Sequence, residues 1–449
     1  MANELSILDF LHFDCPTAEQ KLALTAMADF VCESNNEDFF ILCGSAGTGK
    51  TSITSALIGY LNKIGTTYKI AAPTGRAARI LGRKTNTQNS TIHSMIYNVD
   101  VNAETGIVKF TLKEADNDEM CIYIVDEASM INALTTSQED SLFISSNTLL
   151  NDLTTYVKLG NKRNKIILLG DRNQLPPVNE KDSYALMPEY LKTRYKWTGA
   201  FHILTEVKRQ EDGSYILKNA SNICTAISNG EKQFKINAPQ LSFSNAVDQY
   251  VHDFQKMESD TCISIGCTHD SNQYFNDIVR QKLYGKKPPI ITEGDLMLVT
   301  KKWSRNQKTL HNGDHVTVEN VLLDKIEVVA GLQFAPIKLN SRDLKGHVIE
   351  IEDYLLLDSI SSPSGSLSLD KEKAIRRERN AKNKIYRESG KQEDDRYVGA
   401  IRLAYGHSIT CNKAQGGEWE KVYMNCFFVP NLKYSYTAVT RAKSQLIKY

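Results

Sequence analysis

No stretch of 18 apolar residues occurs in the 449-residue sequence, so no segment reads as a membrane-crossing helix. The opening residues, MANELSILDFLHFD, lack the basic start of a signal peptide, and a cytoplasmic protein without membrane partners is expected. The nine cysteines form no CxxC pair, which argues against a zinc ribbon or a disulfide framework. Net charge is nearly absent: 54 Lys and Arg against 53 Asp and Glu leave +1. Any polyanionic partner must therefore be met by a local patch and not by the global field. What is present is ordinary globular composition, 41% hydrophobic and 24% charged. At roughly 150 residues per domain, the length suggests about three domains.

Short apolar runs alternate with helix-length segments. FFILC (39–43), YKIAAP (68–73), CIYIV (121–125) and KIILLG (165–170) are apolar on both faces, as buried parallel strands are. CISIGCT (262–268), GDLMLVT (294–300) and EKVYMNCFF (420–428) form a second set. The pattern predicts two α/β domains in tandem. Two stretches depart from it. Residues 98–118 read as a hairpin turning at Glu104-Thr105-Gly106. Residues 313–395 read as an insertion: a strand-rich half, a Ser/Pro/Gly loop at 359–368, then a basic helical run at 371–391 with nine Lys or Arg against three Glu. That run suits either a solvated helical face or contact with phosphates.

Residues 44–51, Gly44-Ser45-Ala46-Gly47-Thr48-Gly49-Lys50-Thr51, fit G-x-x-x-x-G-K-[ST] between an apolar strand and an amphipathic helix. By chance this pattern should arise on the order of 0.02 times in such a chain. Its glycines let backbone N–H groups wrap a phosphate at a helix N-terminus. Lys50 would reach the β- and γ-phosphates of ATP, and Thr51 would ligate Mg²⁺. Asp126 and Glu127 close the strand CIYIV. Adjacent carboxylates there are costly unless they hold a metal or activate water. That makes Asp126 the candidate Mg²⁺ partner, direct or through a bound water, and Glu127 the candidate base; a helix-capping acidic pair is the alternative. Thr17-x-x-Gln20 is a capping box. The Gln20 amide could instead read an adenine edge, and the local sequence does not choose between the two.

The ordered segments PTAEQ (16–20), GSAGTGKT (44–51), AAPTGRAARIL (71–81), STIHSMIY (90–97), VDEAS (125–129), GDRNQLPPV (170–178), LTEVKRQ (204–210), AYGHSITCNKAQGGEWE (404–420) and YTAVTRAK (436–443) resemble superfamily 1B DNA helicases of the RecD-like branch, closest in kind to the phage Dda type. The resemblance spans residues 16–443. It implies two tandem RecA-like P-loop NTPase domains, 1A (1–97 and 119–210) and 2A (211–312 and 396–449). It also implies a pin at 98–118 (1B) and an SH3-like barrel with a helical element at 313–395 (2B). The implied activity is ATP-dependent translocation on single-stranded DNA, 5′ to 3′, with unwinding of fork DNA. A monomer is expected, with replication or recombination proteins as partners. Two alternatives are an ATP-switched binder of single-stranded nucleic acid and an RNA-directed translocase.

Residue roles follow by motif. Gln174 would sense the γ-phosphate, Arg209 and Arg441 would be arginine fingers, and Glu418 would lie near the nucleotide. DNA contacts would come from Pro73, Thr74 and Arg76, backed by Arg79, Arg83 and Lys84, and from Thr410, Asn412, Lys413 and Gln415. Asn412 departs from the His usual at that place, so it can donate a hydrogen bond but cannot become cationic. His93 matches the next DNA motif, and a core or capping histidine is the alternative.

Overall fold

The computed structural model describes every residue except 1–4, 14, 88, 102–107, 115–118, 135–142, 145–146, 207–214, 257–260, 343–346 and 363–364. It comprises two compact units. The first contains residues 1–98, 111–137 and 145–214, and the second 99–110, 138–144 and 215–449.

The first unit is built on a six-stranded sheet in the order Ser90–Thr91, Thr67–Ala72, Cys121–Val125, Lys165–Gly170, Phe39–Gly44 and Gly199–Leu204. Every neighbouring pair is parallel. The central strands are buried along their whole length, as their two-sided apolarity requires. The helices Ala18–Val31 and Lys50–Ile64 add Leu24, Met27, Phe30, Ile53, Leu57 and Leu61 to the core against Phe40, Leu42, Ile122 and Ile167. Because all strands run one way, the loops that follow them emerge along a single edge.

Among the described residues, the second unit is built on two larger sheets. One is parallel, in the order Ser408–Thr410, Cys262–Gly266, Trp419–Met424 and Ala442–Lys448. The other is antiparallel and six-stranded: Glu327–Val329, Leu332–Arg342, His315–Val321, Leu296–Val299 and Leu403–Tyr405 in order, with Val348–Leu356 also on Leu332–Arg342. This corrects one strand assignment. The run GDLMLVT does not join the parallel sheet, because Leu296–Val299 lies between two antiparallel neighbours with all four residues buried. Apolarity on both faces reports burial and not strand direction. A small hairpin, Trp303–Arg305 with Lys308–Leu310, turns through Asn306 (φ 51°) and Gln307 (φ 60°). Two successive left-handed residues match the right-handed twist of the flanking strands.

The basic run forms two helices, Leu369–Lys382 and Lys384–Ser389, which meet at Asn383. In the expected pin, the strands Tyr97–Val101 and Val108–Leu112 are present. The turn at 104–106 lies outside the described residues.

One buried ion pair ties the second unit together. Arg280 grips Asp295 bidentately, Nε to Oδ1 at 2.8 Å and Nη2 to Oδ2 at 2.9 Å, and its Nη1 donates to the Tyr405 hydroxyl at 2.8 Å. Both side chains are sealed from solvent. Asp295→Ala would strand the guanidinium, so urea unfolding should show a loss of about 3–5 kcal/mol. A loss below about 1 kcal/mol would mean that water reaches Arg280.

Candidate functional site

The strand Phe39–Gly44 delivers the loop 44–49 to the carboxyl edge of the first unit's sheet. A Cβ on Gly44 would lie 2.5 Å from Thr48 Oγ1, so the loop closes only over glycine. Thr48 is fully buried, and its hydroxyl donates to the Ser45 carbonyl at 2.9 Å. Gly49 (φ 90°) precedes the helix Lys50–Ile64 and gives it no side-chain cap, which leaves first-turn N–H groups available to an anion. Lys50 Nζ donates to the Gly44 carbonyl and, at 3.1 Å, to the Ser45 carbonyl.

Gln20 braces this loop. Its Oε1 accepts from the Thr17 N–H at 2.9 Å, while Thr17 Oγ1 accepts from the Gln20 N–H at 3.1 Å, completing the capping box. The Gln20 Nε2 donates to the Thr48 carbonyl at 3.0 Å. The amide thus bridges a helix start to the phosphate loop.

Two strands over in the sheet, Cys121–Val125 presents the acidic pair at the same edge. The Asp126 N–H donates to the Ala71 carbonyl, and its Oδ1 accepts from the Glu127 N–H at 2.8 Å. Burial raises the Asp126 pKa, while Glu127 N–H and the Lys50 and Lys84 ammoniums act to lower it. Glu127 caps the short turn Ala128–Met130 in a left-handed conformation (φ 51°) that non-glycine residues adopt at a cost. From the strand between, Lys165–Gly170, come Asp171 and Gln174. Gln174 is 3% exposed, and its Oε1 has no partner among the described residues. Ser129 Oγ, fully buried, also has none. Unsatisfied buried acceptors at such a place suit a water or a ligand group. The hydroxyl of Thr51 and the Asp126 carboxylate are hard oxygen donors of the kind Mg²⁺ takes.

Further along this edge, Ala72 pairs with Thr91, so the segments after both strands are neighbours. Thr74 follows Pro73 and caps the helix Gly75–Thr85, accepting from the Ala77 N–H at 3.2 Å. Thr91 caps Ile92–Ile96, accepting from the Ser94 N–H at 3.1 Å. Arg76 and Arg79 are half-buried, Arg83 and Lys84 exposed. His93 is exposed and lies 5.7 Å from the Tyr97 ring.

The second unit repeats the device. Gly266 pairs with Thr410, and each strand leads into a Thr-capped helix start. Thr410 accepts from the Lys413 N–H at 3.4 Å, and Thr268 from the Ser271 N–H at 3.2 Å. Asn412 is exposed, Gln415 buried and Glu418 half-buried. Burial lowers the Lys413 pKa. Arg441 is buried, with Nε on the Thr437 carbonyl, Nη1 on the Gly417 carbonyl and Nη2 on the Thr440 hydroxyl. Arg209 lies outside the described residues.

Residues 29–180 match the AAA domain family, and residues 405–447 match the UvrD-like helicase C-terminal domain. Over 139 residues the chain is 33% identical to the ATP-dependent RecD2 DNA helicase of Deinococcus radiodurans, which covers 31% of this chain and 16% of the relative. Over 201 residues it is 30% identical to the ATP-dependent DNA helicase dda of Enterobacteria phage T4, covering 44% of this chain and 40% of the relative. A solved Pif1 structure, described as two coordinating Pif1 helicases unwinding forked double-stranded DNA, superposes with a TM-score of 0.52 at 18% identity over 96% of this chain and 91% of that one. The chain spans less than half the length of the two curated relatives, RecD2 and dda. Its architecture is the two-RecA-domain α/β fold.

The matched segments include residues at the carboxyl edges of both units. Sequence reading missed Ser129 and Thr268 as site candidates. Ser129 was in view within VDEAS. Thr268-x-x-Ser271 after an apolar strand was the local signal for the second. The Gln20–Thr48 bond had no local signal.

Proposed function

We propose that this protein is an ATP-dependent DNA helicase that translocates 5′ to 3′ on single-stranded DNA and unwinds forked duplexes. The observation that carries this reading is the shared carboxyl edge of the first unit. There a phosphate loop, an acidic pair and the Gln174 Oε1, unpartnered among the described residues, share the edge with two Thr-capped helix starts, the one at Thr74 carrying Arg76 and Arg79. Nucleotide chemistry and a phosphate-gripping face occupy neighbouring strand ends, as a motor that couples the two requires.

In this reading Lys50 and the loop N–H groups hold the triphosphate, Glu127 orients the attacking water and takes its proton, and Gln174 senses the γ-phosphate and couples it to the DNA contacts. Mg²⁺, when bound by Thr51 and Asp126, supplies charge neutralisation at the phosphates. Arg209 and Arg441 act as arginine fingers, and Gln20 and Glu418 border the nucleotide. Pro73, Thr74, Arg76 and His93 contact DNA in one unit, and Thr410, Asn412, Lys413 and Gln415 in the other, with Thr268 added by its matching place. The hairpin 98–118 serves as the strand-separating pin. The direction of movement rests on the family resemblance.

The test is unwinding of matched 5′- and 3′-tailed duplexes with and without ATP. Strand separation only from the 5′ tail, and only with ATP, is expected; unwinding only from the 3′ tail would overturn the polarity. Affinity for single-stranded DNA should also fall steeply with salt despite the +1 net charge. Four phosphate contacts would give a log–log slope of about −3. A flat dependence would remove the proposed DNA face.

A further inference from the structure

The second unit gathers two arginines around one carboxylate, with Lys301 beside the arginines. Lys301 follows the strand Leu296–Val299, and Arg402 precedes its neighbour Leu403–Tyr405; the Thr300 N–H donates to the Arg402 carbonyl at 3.0 Å. Arg376 comes from the helix Leu369–Lys382. Glu372, one turn earlier, meets Arg402 with both oxygens: Oε1 contacts Nη1, and Oε2 accepts from Nη2 at 3.1 Å. Its Oε2 is 3.9 Å from Arg376 Nε.

The donors outnumber what the protein supplies. Arg376 is 1% exposed; its Nη1 donates to the Tyr386 hydroxyl at 3.2 Å, but Nε and Nη2 have no hydrogen-bond partner among the described residues. Arg402 is 4% exposed, and its Nε has none either. With Lys301 protonated, three positive charges face one negative. Burial, with Arg402 and Arg376 alongside, pushes the Lys301 ammonium well below its usual pKa, and burial lowers Arg402 to about 10. Cations held away from water without enough anions are costly, and a missing anion is the direct remedy.

We infer that Lys301, Arg376 and Arg402 form a receptor for one phosphate dianion. A carboxylate offers two oxygens and one charge. A phosphate dianion offers at least three oxygens and matches the excess of two, so it can accept from Arg376 Nε and Nη2, Arg402 Nε and the Lys301 ammonium together. Its source is free phosphate or a terminal phosphomonoester on an oligonucleotide. None of the three residues belongs to the motif segments that carry the proposed activity, although Arg402 stands two residues before the segment 404–420.

The experiment titrates inorganic phosphate into the full-length Lys50→Ala protein, which removes the P-loop lysine as a competing ligand, at ionic strength held constant with sodium chloride. Saturable one-to-one binding by calorimetry is expected, weakened at least tenfold by Lys301→Met and by Arg376→Met. Lys301 is half-buried, so its replacement keeps the test decisive if Arg376→Met does not fold by circular dichroism. Competition by a 5′-phosphorylated oligonucleotide, and not by its hydroxyl-ended counterpart, would assign the occupant to a DNA end; no competition by either would assign it to free phosphate. Absence of saturable binding, unchanged affinity in Lys301→Met, or equal competition by both oligonucleotides would overturn the assignment.

Discussion

Lys50→Ala is expected to abolish ATP hydrolysis while leaving most single-stranded DNA binding in place. The ammonium is the loop's own positive charge, set at the start of a helix whose first turn has no side-chain cap. Nothing else among residues 44–51 carries a full positive charge to offset a triphosphate. The Thr-capped helix starts at Thr74 and Thr91 use other groups, so their grip on phosphates should survive. Lys50 also donates to the Gly44 and Ser45 carbonyls, so its loss loosens the loop as well as discharging it. Lys50→Arg would restore the charge without the compact reach and should remain strongly impaired. Near-normal turnover in the alanine variant would dismiss the P-loop assignment.

Glu127→Gln should retain binding of ATP–Mg²⁺ yet hydrolyse it at least about 10²-fold more slowly, the scale of a lost general base. The amide is nearly isosteric, so the turn Ala128–Met130 and the Asp126 bond to the residue 127 N–H should persist. Single-turnover kinetics decides the matter, because it separates chemistry from binding. If Mg²⁺ affinity falls while the chemical step is unchanged, the roles of Asp126 and Glu127 are exchanged. The left-handed backbone at Glu127 adds weight to the assignment: strain of this kind persists where the surrounding structure over-determines a geometry.

Much of the first unit could be read from its residues. The P-loop is local, since glycine spacing, a lysine and two flanking elements suffice, and the strands Cys121–Val125 and Lys165–Gly170 begin and end where their apolar runs do. The second unit was harder to read. Leu296–Val299 belongs to an antiparallel sheet although its sequence looks like that of a parallel strand, because full burial erases the alternation that would tell them apart. The basic run at 371–391 does not face water uniformly. Arg376 is buried and Arg379 pairs with Asp395 at 2.8 Å, partnerships that depend on where the helix packs. The same holds for Arg280 and Asp295, fifteen residues apart with no local signal that one will hold the other.

The Gln20 side chain makes two structures move as one. Its oxygen fastens the first turn of the helix Ala18–Val31, and its nitrogen fastens the phosphate loop through the Thr48 carbonyl. A displacement of the loop therefore pulls on the helix end, and fraying of the helix releases the loop. The two connections are chemically separable, because the cap needs only an acceptor whereas the brace needs a donor. Glutamate at this position would keep the first and turn the second into oxygen facing oxygen. The helix would stay wound while the loop was pushed away, so the cost of that exchange would appear in nucleotide retention and not in the melting of the fold.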